Sequence, residues 1–277
     1  MPQTSAQWIP FEDAPWNADQ RKSFSNITEW DNALKSLPLE HGSVEAIKAR
    51  FAKEADDIDK GIYGGMLSER LCRQVLGEAG VERAHKDLYV SQVRSAYHYY
   101  SPIRFETGGE LKQFLQGSVI PRGTLIAKLA DVGHTWQLKQ VSDLSTAFFL
   151  VNKLLNLKAE LAKDRLYIPL ADLEQANISI NDLKEGRDSP QMQKMLWKQI
   201  IRVRDAFAQG QPLLKEVPRK FRRSFKKNWL TGLELVGEIE KRNYDLWSEP
   251  ITLSGIQKFQ INVLTFIGRG ASHARGR

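Results

Sequence analysis

The feature that most limits the fold is a missing one. Nowhere in 277 residues do β-branched and aromatic residues alternate for long enough to build a sheet. Apolar residues recur instead at spacings of three and four, the period of a helix with one buried face. Val44, Ile47, Phe51, Ala55 and Ile58 show the pattern, with Ser43 placed to cap that helix and Gly61 to stop it. Further helices are expected over 68–79, 81–100, 110–119, 124–131, 137–162, 189–209, 220–247 and 254–267, with short ones at 171–176 and 180–185. Pro102, Pro121, Gly123 and Gln211-Pro212 punctuate them. The expectation is an all-α chain with one domain over 43–267. Residues 1–42, with Trp8, Pro10, Pro15 and Trp16, read as an extended arm that docks, and 268–277 as a loose basic tail.

Composition removes several function classes. Cys72 stands alone, so neither an internal disulfide framework nor a Cys-rich zinc or iron–sulfur site is available. The five histidines are scattered, with no pair at the four-residue helical spacing of a metal site. The motifs of phosphate-binding loops, serine hydrolases, zinc proteases and dinucleotide folds are absent. Lys and Arg number 40 against 33 acids, a formal charge of +7. That charge admits anionic partners without choosing one. The N-terminus lacks the basic-then-apolar order of a signal peptide, and no apolar run reaches the ~20 residues of a membrane span. A cytoplasmic location is expected, with peripheral membrane contact left open and no nucleic acid partner expected.

Acids and amides on helices carry what chemistry is legible. Asp56, Asp57 and Asp59 cluster near the end of the Ser43 helix, where clustered carboxylates invite Mg²⁺ unless Lys53 and Lys60 balance them. Asn152, Asn156 and Glu160 step by four along one face of an apolar helix, a stripe that needs polar partners when buried. Those partners are a cation and a diphosphate, another helix, or water. Lys163, Arg165 and Tyr167 follow it, placed to hold a diphosphate or to form a basic turn. Tyr97, Tyr99, Tyr100, Phe105, Phe114, Phe148 and Phe149 line a cavity or form plain core. The run Arg219–Lys227 interleaves cations with Phe221 and Phe225, which suits an anionic surface or an ordinary solvated helix face.

Taken in order, these pieces resemble squalene and phytoene synthases. Phe51–Asp59 resembles the family's first aspartate-rich motif. Arg104–Thr107, Glu110-Leu111 and Ser118–Gly123 resemble the segment after it. Ser142-Asp143, Ala147–Glu160 and Arg165–Leu173 resemble the second motif and its sequel, the most specific stretch. Val217-Pro218 and Asn243–Leu246 resemble the C-terminal part. The resemblance spans about residues 45–265. It implies a single-domain isoprenoid synthase (class I terpenoid synthase) helical bundle with a central apolar cavity, two acidic helices facing across it, and Mg²⁺ holding prenyl diphosphates. It implies Asp56, Asp57, Asn156 and Glu160 as catalytic and, with Asn152, as metal ligands. Lys53, Asn152, Lys163, Arg165 and Tyr167 would bind diphosphate, and Phe51, Tyr99, Phe114, Phe148 and Phe149 would line the cavity.

The sequence departs from the family pattern at the site itself. Lys60 takes the last acidic place of the first motif, and Asn156 and Glu160 replace the aspartates of the second. Phe149 stands where a glutamine is usual, Phe114 where an active-site tyrosine is, and Tyr99 where an acid is. Asn for Asp removes a unit of charge and weakens a divalent site, although amide oxygens can still ligate Mg²⁺. The expected function is Mg²⁺-dependent transfer of a prenyl cation from an allylic diphosphate to a second prenyl diphosphate or an aromatic acceptor. The alternative is a family member that has lost catalysis and serves as a membrane-associated binding or assembly factor.

Overall fold

The computed structural model describes Phe11 and residues 14–37, 43–71, 85–100 and 102–267. Among these the chain forms α1 (Ala18–Lys35), α2 (Val44–Asp59), α3 (Met66–Leu71), α4 (Lys86–Ser95), α5 (Gly108–Phe114), α6 (Ile120–Leu129), α7 (Thr135–Leu155) and α8 (Leu157–Leu161). It continues through α9 (Leu170–Gln175), α10 (Ile180–Glu185), α11 (Pro190–Gly210), α12 (Leu213–Glu216), α13 (Arg219–Lys241) and α14 (Gly255–Ile267). No β-strand occurs among the described residues, as the sequence pattern requires. The expected helical segments at 72–79 and 81–84 and the basic tail at 268–277 lie outside them. The chain divides into two compact units. The N-terminal unit is Trp16–Ile103 with Lys112–Gly133, and the C-terminal unit is Met1–Pro15, Arg104–Leu111 and His134–Arg277.

In the N-terminal unit the expected extended arm is replaced, over 18 residues, by α1. Asn17 and Gln20 close a capping box at its start, and Gln20 Nε2 donates to the Leu129 carbonyl at 2.7 Å. Ile27, Trp30, Ala33 and Leu34 form the buried face. The fully buried Trp30 ring meets Tyr89 edge-on at 5.9 Å, and its Nε1 donates to Gln92 Oε1 at 3.1 Å. The buried Asp31 carboxylate accepts from Lys35 at 2.5 Å and pairs with Arg122 at 3.3 Å. The signal was present in the spacing of those apolar residues, but Pro and Trp upstream masked it.

Helix α2 starts on the Ser43 hydroxyl, which accepts from the Ala46 N–H at 3.2 Å. Past its C-cap, Gly61 adopts φ +78°, a conformation that L side chains rarely adopt. The expected break at Pro121 does not occur. Proline sits in the first turn of α6, where its missing N–H costs nothing. A π-helical turn at Leu115–Val119 joins α5 to α6 instead. Gly117 there lies so close to Ser95 that a Cβ would be 2.9 Å from the serine Cβ.

In the C-terminal unit α7 and α11 pack along their length. Gly210 permits the approach, since a Cβ there would lie 2.2 Å from Leu144 Cγ. Helix α13 ends at Lys241 rather than at 247, because Asn243 and Tyr244 take φ +52° and +65° and turn the chain. Asp245 Oδ1 then accepts from the Trp247 and Ser248 N–H groups at 2.9 and 3.1 Å, and Trp247 Nε1 donates to the Leu183 carbonyl at 2.9 Å. Asp172 at the start of α9 is buried. Burial raises its pKa, but Arg202 and Gln199 outweigh that and hold it low.

Candidate functional site

The polar stripe at 152–160 lies in the C-terminal unit, and it is not one continuous helix. The 137–162 helix expected from the sequence stops at Leu155, where Asn156 takes φ −107° and ψ 17°. The Asn156 amide nitrogen donates to the Asn152 carbonyl at 2.9 Å. The Asn156 backbone N–H reaches the same carbonyl at 3.0 Å, so the ladder bond is kept and the side-chain amide adds a second donor to it. The Glu160 N–H still reaches the Asn156 carbonyl at 2.9 Å, so the three residues stay linked across the interruption.

Glu160 does not wait for an external cation. Lys153, seven residues earlier and two turns up the same side, brings its Nζ to 2.6 Å from Glu160 Oε1. The ammonium also lies 4.6 Å from the Tyr167 ring centroid and 5.3 Å from that of Phe149. Those two rings meet edge-on at 5.1 Å. Glu160 Oε2 is buried and has no hydrogen-bond partner. Tyr167 is buried, while Lys163 is exposed in the turn that follows α8. Asp164 in that turn takes φ +56° and accepts from Arg104, whose second nitrogen reaches the Asp164 carbonyl at 2.7 Å. The Arg165 N–H closes the turn on the Glu160 carbonyl at 2.9 Å.

In the N-terminal unit the first acidic cluster is likewise matched by cations. Asp56 pairs with Arg94 at 2.6 Å, and Asp57 with Lys53 at 2.6 Å. The second contact raises the Lys53 pKa through its hydrogen bond and charge. Lys60 caps α2 through its backbone. Phe51 is buried against the Tyr100 ring, 5.4 Å away. Phe114 is buried edge-on to His98 and Tyr99, at 5.1 and 6.3 Å, and Tyr99 hydrogen-bonds Ser118. Burial and the nearby Lys48 push the His98 pKa down to about 4.

These donor sets do not fit a resident Mg²⁺ ion. Among the described residues no group of three or more His, Cys, Asp or Glu side chains could hold a metal. In the stripe only Glu160 is charged, and its charge is already neutralised by Lys153. Asp56 and Asp57, adjacent in sequence, point about 100° apart on the helix and each meets its own base.

A cavity of about 1000 Å³ opens in the C-terminal unit, large enough for a long apolar chain. Its walls come from α7 and α8 (Phe148, Leu155, Asn156, Ala159), α13 (Asn228, Gly232, Leu235), the 246–253 segment and α14 (Ile261, Asn262). Gly232 matters here. A Cβ would lie 2.5 Å from Phe207 Cζ and 3.1 Å from Phe148 Cε1, so glycine leaves room for the two rings, which meet edge-on at 5.1 Å with Phe148 bordering the cavity. Lys158, Lys227 and Lys258 stand in the lining against one carboxylate, Glu249. Of the five expected cavity aromatics, only Phe148 borders this space. Phe149 turns to Tyr167 and Lys153, and Phe51, Tyr99 and Phe114 pack within the N-terminal unit.

The lysines of the lining were not singled out from the sequence, apart from Lys227 in the basic run. They come from three helices, and no spacing joins them. Lys153 was not singled out either, although its seven-residue step to Glu160 is close to two helical turns.

Comparison with known proteins agrees with this architecture. Residues 69–257 match the family model for squalene/phytoene synthase. No curated protein matches the chain. Among solved structures, squalene synthase HpnC from Alicyclobacillus acidocaldarius is similar with a TM-score of 0.65 at 17% identity, over 82% of this chain and 85% of that one. A dehydrosqualene synthase solved in complex with ligand gives 0.67 at 13% identity, over 92% and 88%. YisP from Bacillus subtilis gives 0.55 at 14% identity, over 89% and 99%. The fold is therefore the all-α isoprenoid synthase fold, and the chain belongs to the squalene/phytoene synthase family.

Proposed function

We propose that the protein binds a prenyl diphosphate with its chain in the cavity of the C-terminal unit, and transfers the prenyl group to a second prenyl diphosphate or an aromatic acceptor. The observation that carries this reading is the cavity itself: about 1000 Å³, floored by Phe148, with Lys158, Lys227 and Lys258 against one acid. Apolar walls suit an isoprenoid chain and keep water from an allylic cation. Ammonium groups suit a diphosphate, whose charge grows as the C1–O bond breaks and the electron pair leaves with oxygen. Asn156 and Asn228 add amide donors. Magnesium is the family's usual partner for that charge. Here it would have to compete with Lys153 for Glu160, so the reading gives the neutralising role to the lysines. An isoprenoid ligand partitions into bilayers, and peripheral membrane contact belongs to the same reading.

A second reading is favoured by the ion pairs. With Glu160, Asp56 and Asp57 all held by internal bases, the fold would bind a prenyl diphosphate without ionising it and act as a binding or assembly factor.

One experiment separates the two. Binding of farnesyl and geranylgeranyl thiodiphosphates, which resist ionisation, is followed by calorimetry in EDTA and in Mg²⁺. Diphosphate release from the natural esters is then assayed in the parent, Asp57→Ala and Lys258→Glu. Binding in EDTA that Lys258→Glu weakens, together with release, supports transfer. Binding without release supports the second reading. No binding under either condition overturns both.

A further inference from the structure

We propose that the face formed by α13 and α14 docks on the surface of an anionic lipid bilayer. Helix α14 is apolar on opposite sides. Ile261 is buried on the inner side, and Gln257 ties that side to α13 through Glu234 at 3.0 Å and Glu238 at 2.6 Å. On the outer side Ile256, Phe259 and Phe266 are 72%, 67% and 68% exposed. Steps of three and seven residues put these three on one stripe. A surface helix normally keeps its second face polar, and a row of large exposed apolar side chains marks an interaction surface.

The charge beside the stripe says what covers it. Arg219, Arg223 and Lys226 step by four and three along α13 and share one of its sides. The Arg223 guanidinium lies 3.9 Å from the Phe266 ring centroid, and Lys226 Nζ donates to the Leu264 carbonyl at 2.5 Å. The basic row therefore runs along the edge of the apolar stripe. Glu234 and Glu238 lie toward the other end of α14 and are occupied by Gln257 and Lys241. Phe221 and Phe225, interleaved with the cations in sequence, are buried and pack on Phe11, so they offer no rings for stacking bases.

An apolar row edged by cations fits lipid headgroups, with rings at the acyl boundary and long basic side chains reaching phosphates. At 13 residues α14 spans only about 20 Å and would lie in the interface. No described helix is long and apolar enough to cross a membrane. This surface does not depend on what the cavity binds.

The test is co-sedimentation of the full chain with vesicles of phosphatidylcholine alone and of phosphatidylcholine mixed with phosphatidylglycerol. Binding to the mixed vesicles is expected to be stronger by about tenfold or more and to weaken with salt. Phe259→Ser combined with Phe266→Ser leaves the charge unchanged and is expected to cut binding by about tenfold or more. Arg223→Gln is expected to cut it about fivefold. These side chains are exposed, and thermal melts that match the parent would show the variants folded. Equal binding to both vesicle types overturns the proposal, as does a serine variant that binds like the parent. A dimer of the parent that dissociates in the serine variant also overturns it, because a second copy would then cover the stripe.

Discussion

The polar stripe at 152–160 and the acidic cluster at 56–59 each hold an ion pair, and the two pairs differ in what surrounds them. Lys153 and Glu160 pair with side chains only 16% and 13% exposed, under the rings of Phe149 and Tyr167. Arg94 and Asp56 pair at the same distance with 57% and 54% of their side chains exposed. In water the second pair loses most of its attraction to screening, and exposed pairs contribute about 0–1 kcal/mol. The first pair sits where a lone charge is costly, so each partner depends on the other. An acidic motif therefore carries different consequences according to whether its counter-ion is held or merely nearby.

The comparison is broken or sharpened most by Lys153→Met. It should strand the Glu160 carboxylate and cost about 3 kcal/mol of folding stability, read by urea unfolding. Adding Glu160→Leu should recover most of that loss, because an apolar pair needs no compensation. A loss below about 0.5 kcal/mol for Lys153→Met would place the pair with the exposed ones. Gly232→Ala comes next. Its methyl meets Phe207, and overpacking of about 1–3 kcal/mol is expected, together with weaker thiodiphosphate binding if the floor of the cavity shifts.

Tyr167→Leu should cost about 1 kcal/mol beyond its packing loss, by removing the ring under Lys153. The same change in Lys153→Met should show no such extra cost, which a double-mutant cycle would read. Arg94→Ala should cost less than about 0.5 kcal/mol, and that small loss should shrink further in high salt.

The last effect is confined to acid. His98 lies in the same unit as the exposed pairs but is largely buried, and its folded pKa of about 4 is below the ordinary 6.5. The unfolded chain therefore binds the proton more readily. Stability should be unaffected by His98 above pH 6.5 and fall as the pH drops from there towards 4. His98→Phe should flatten that part of the melting-temperature profile, and an unchanged profile would assign the acid sensitivity elsewhere.

Much of the helical chain was legible because a helix is a local structure. Ser43 capping α2, Gly61 after it, and Ser189 before Pro190 act through neighbours within four residues. The family likewise rested on the order of local motifs, above all the stretch at 142–173. What the sequence left undecided depended on groups far apart in the chain or on the backbone angles of a single residue. Helix α1 needed Trp30 to find Gln92, 62 residues away. The interruption at Asn156 is a change of backbone angle at one residue, to φ −107° and ψ 17°, which periodicity does not register. The cavity joins Phe148, Gly232 and Lys258 from three helices, and its charge is set by lysines that no motif contains. Sequence alone determined which residues could carry charge and which helices they ride on. Tertiary structure decided which charges are already paired, because pairing depends on distances of a few ångströms between side chains and on how much water remains around them.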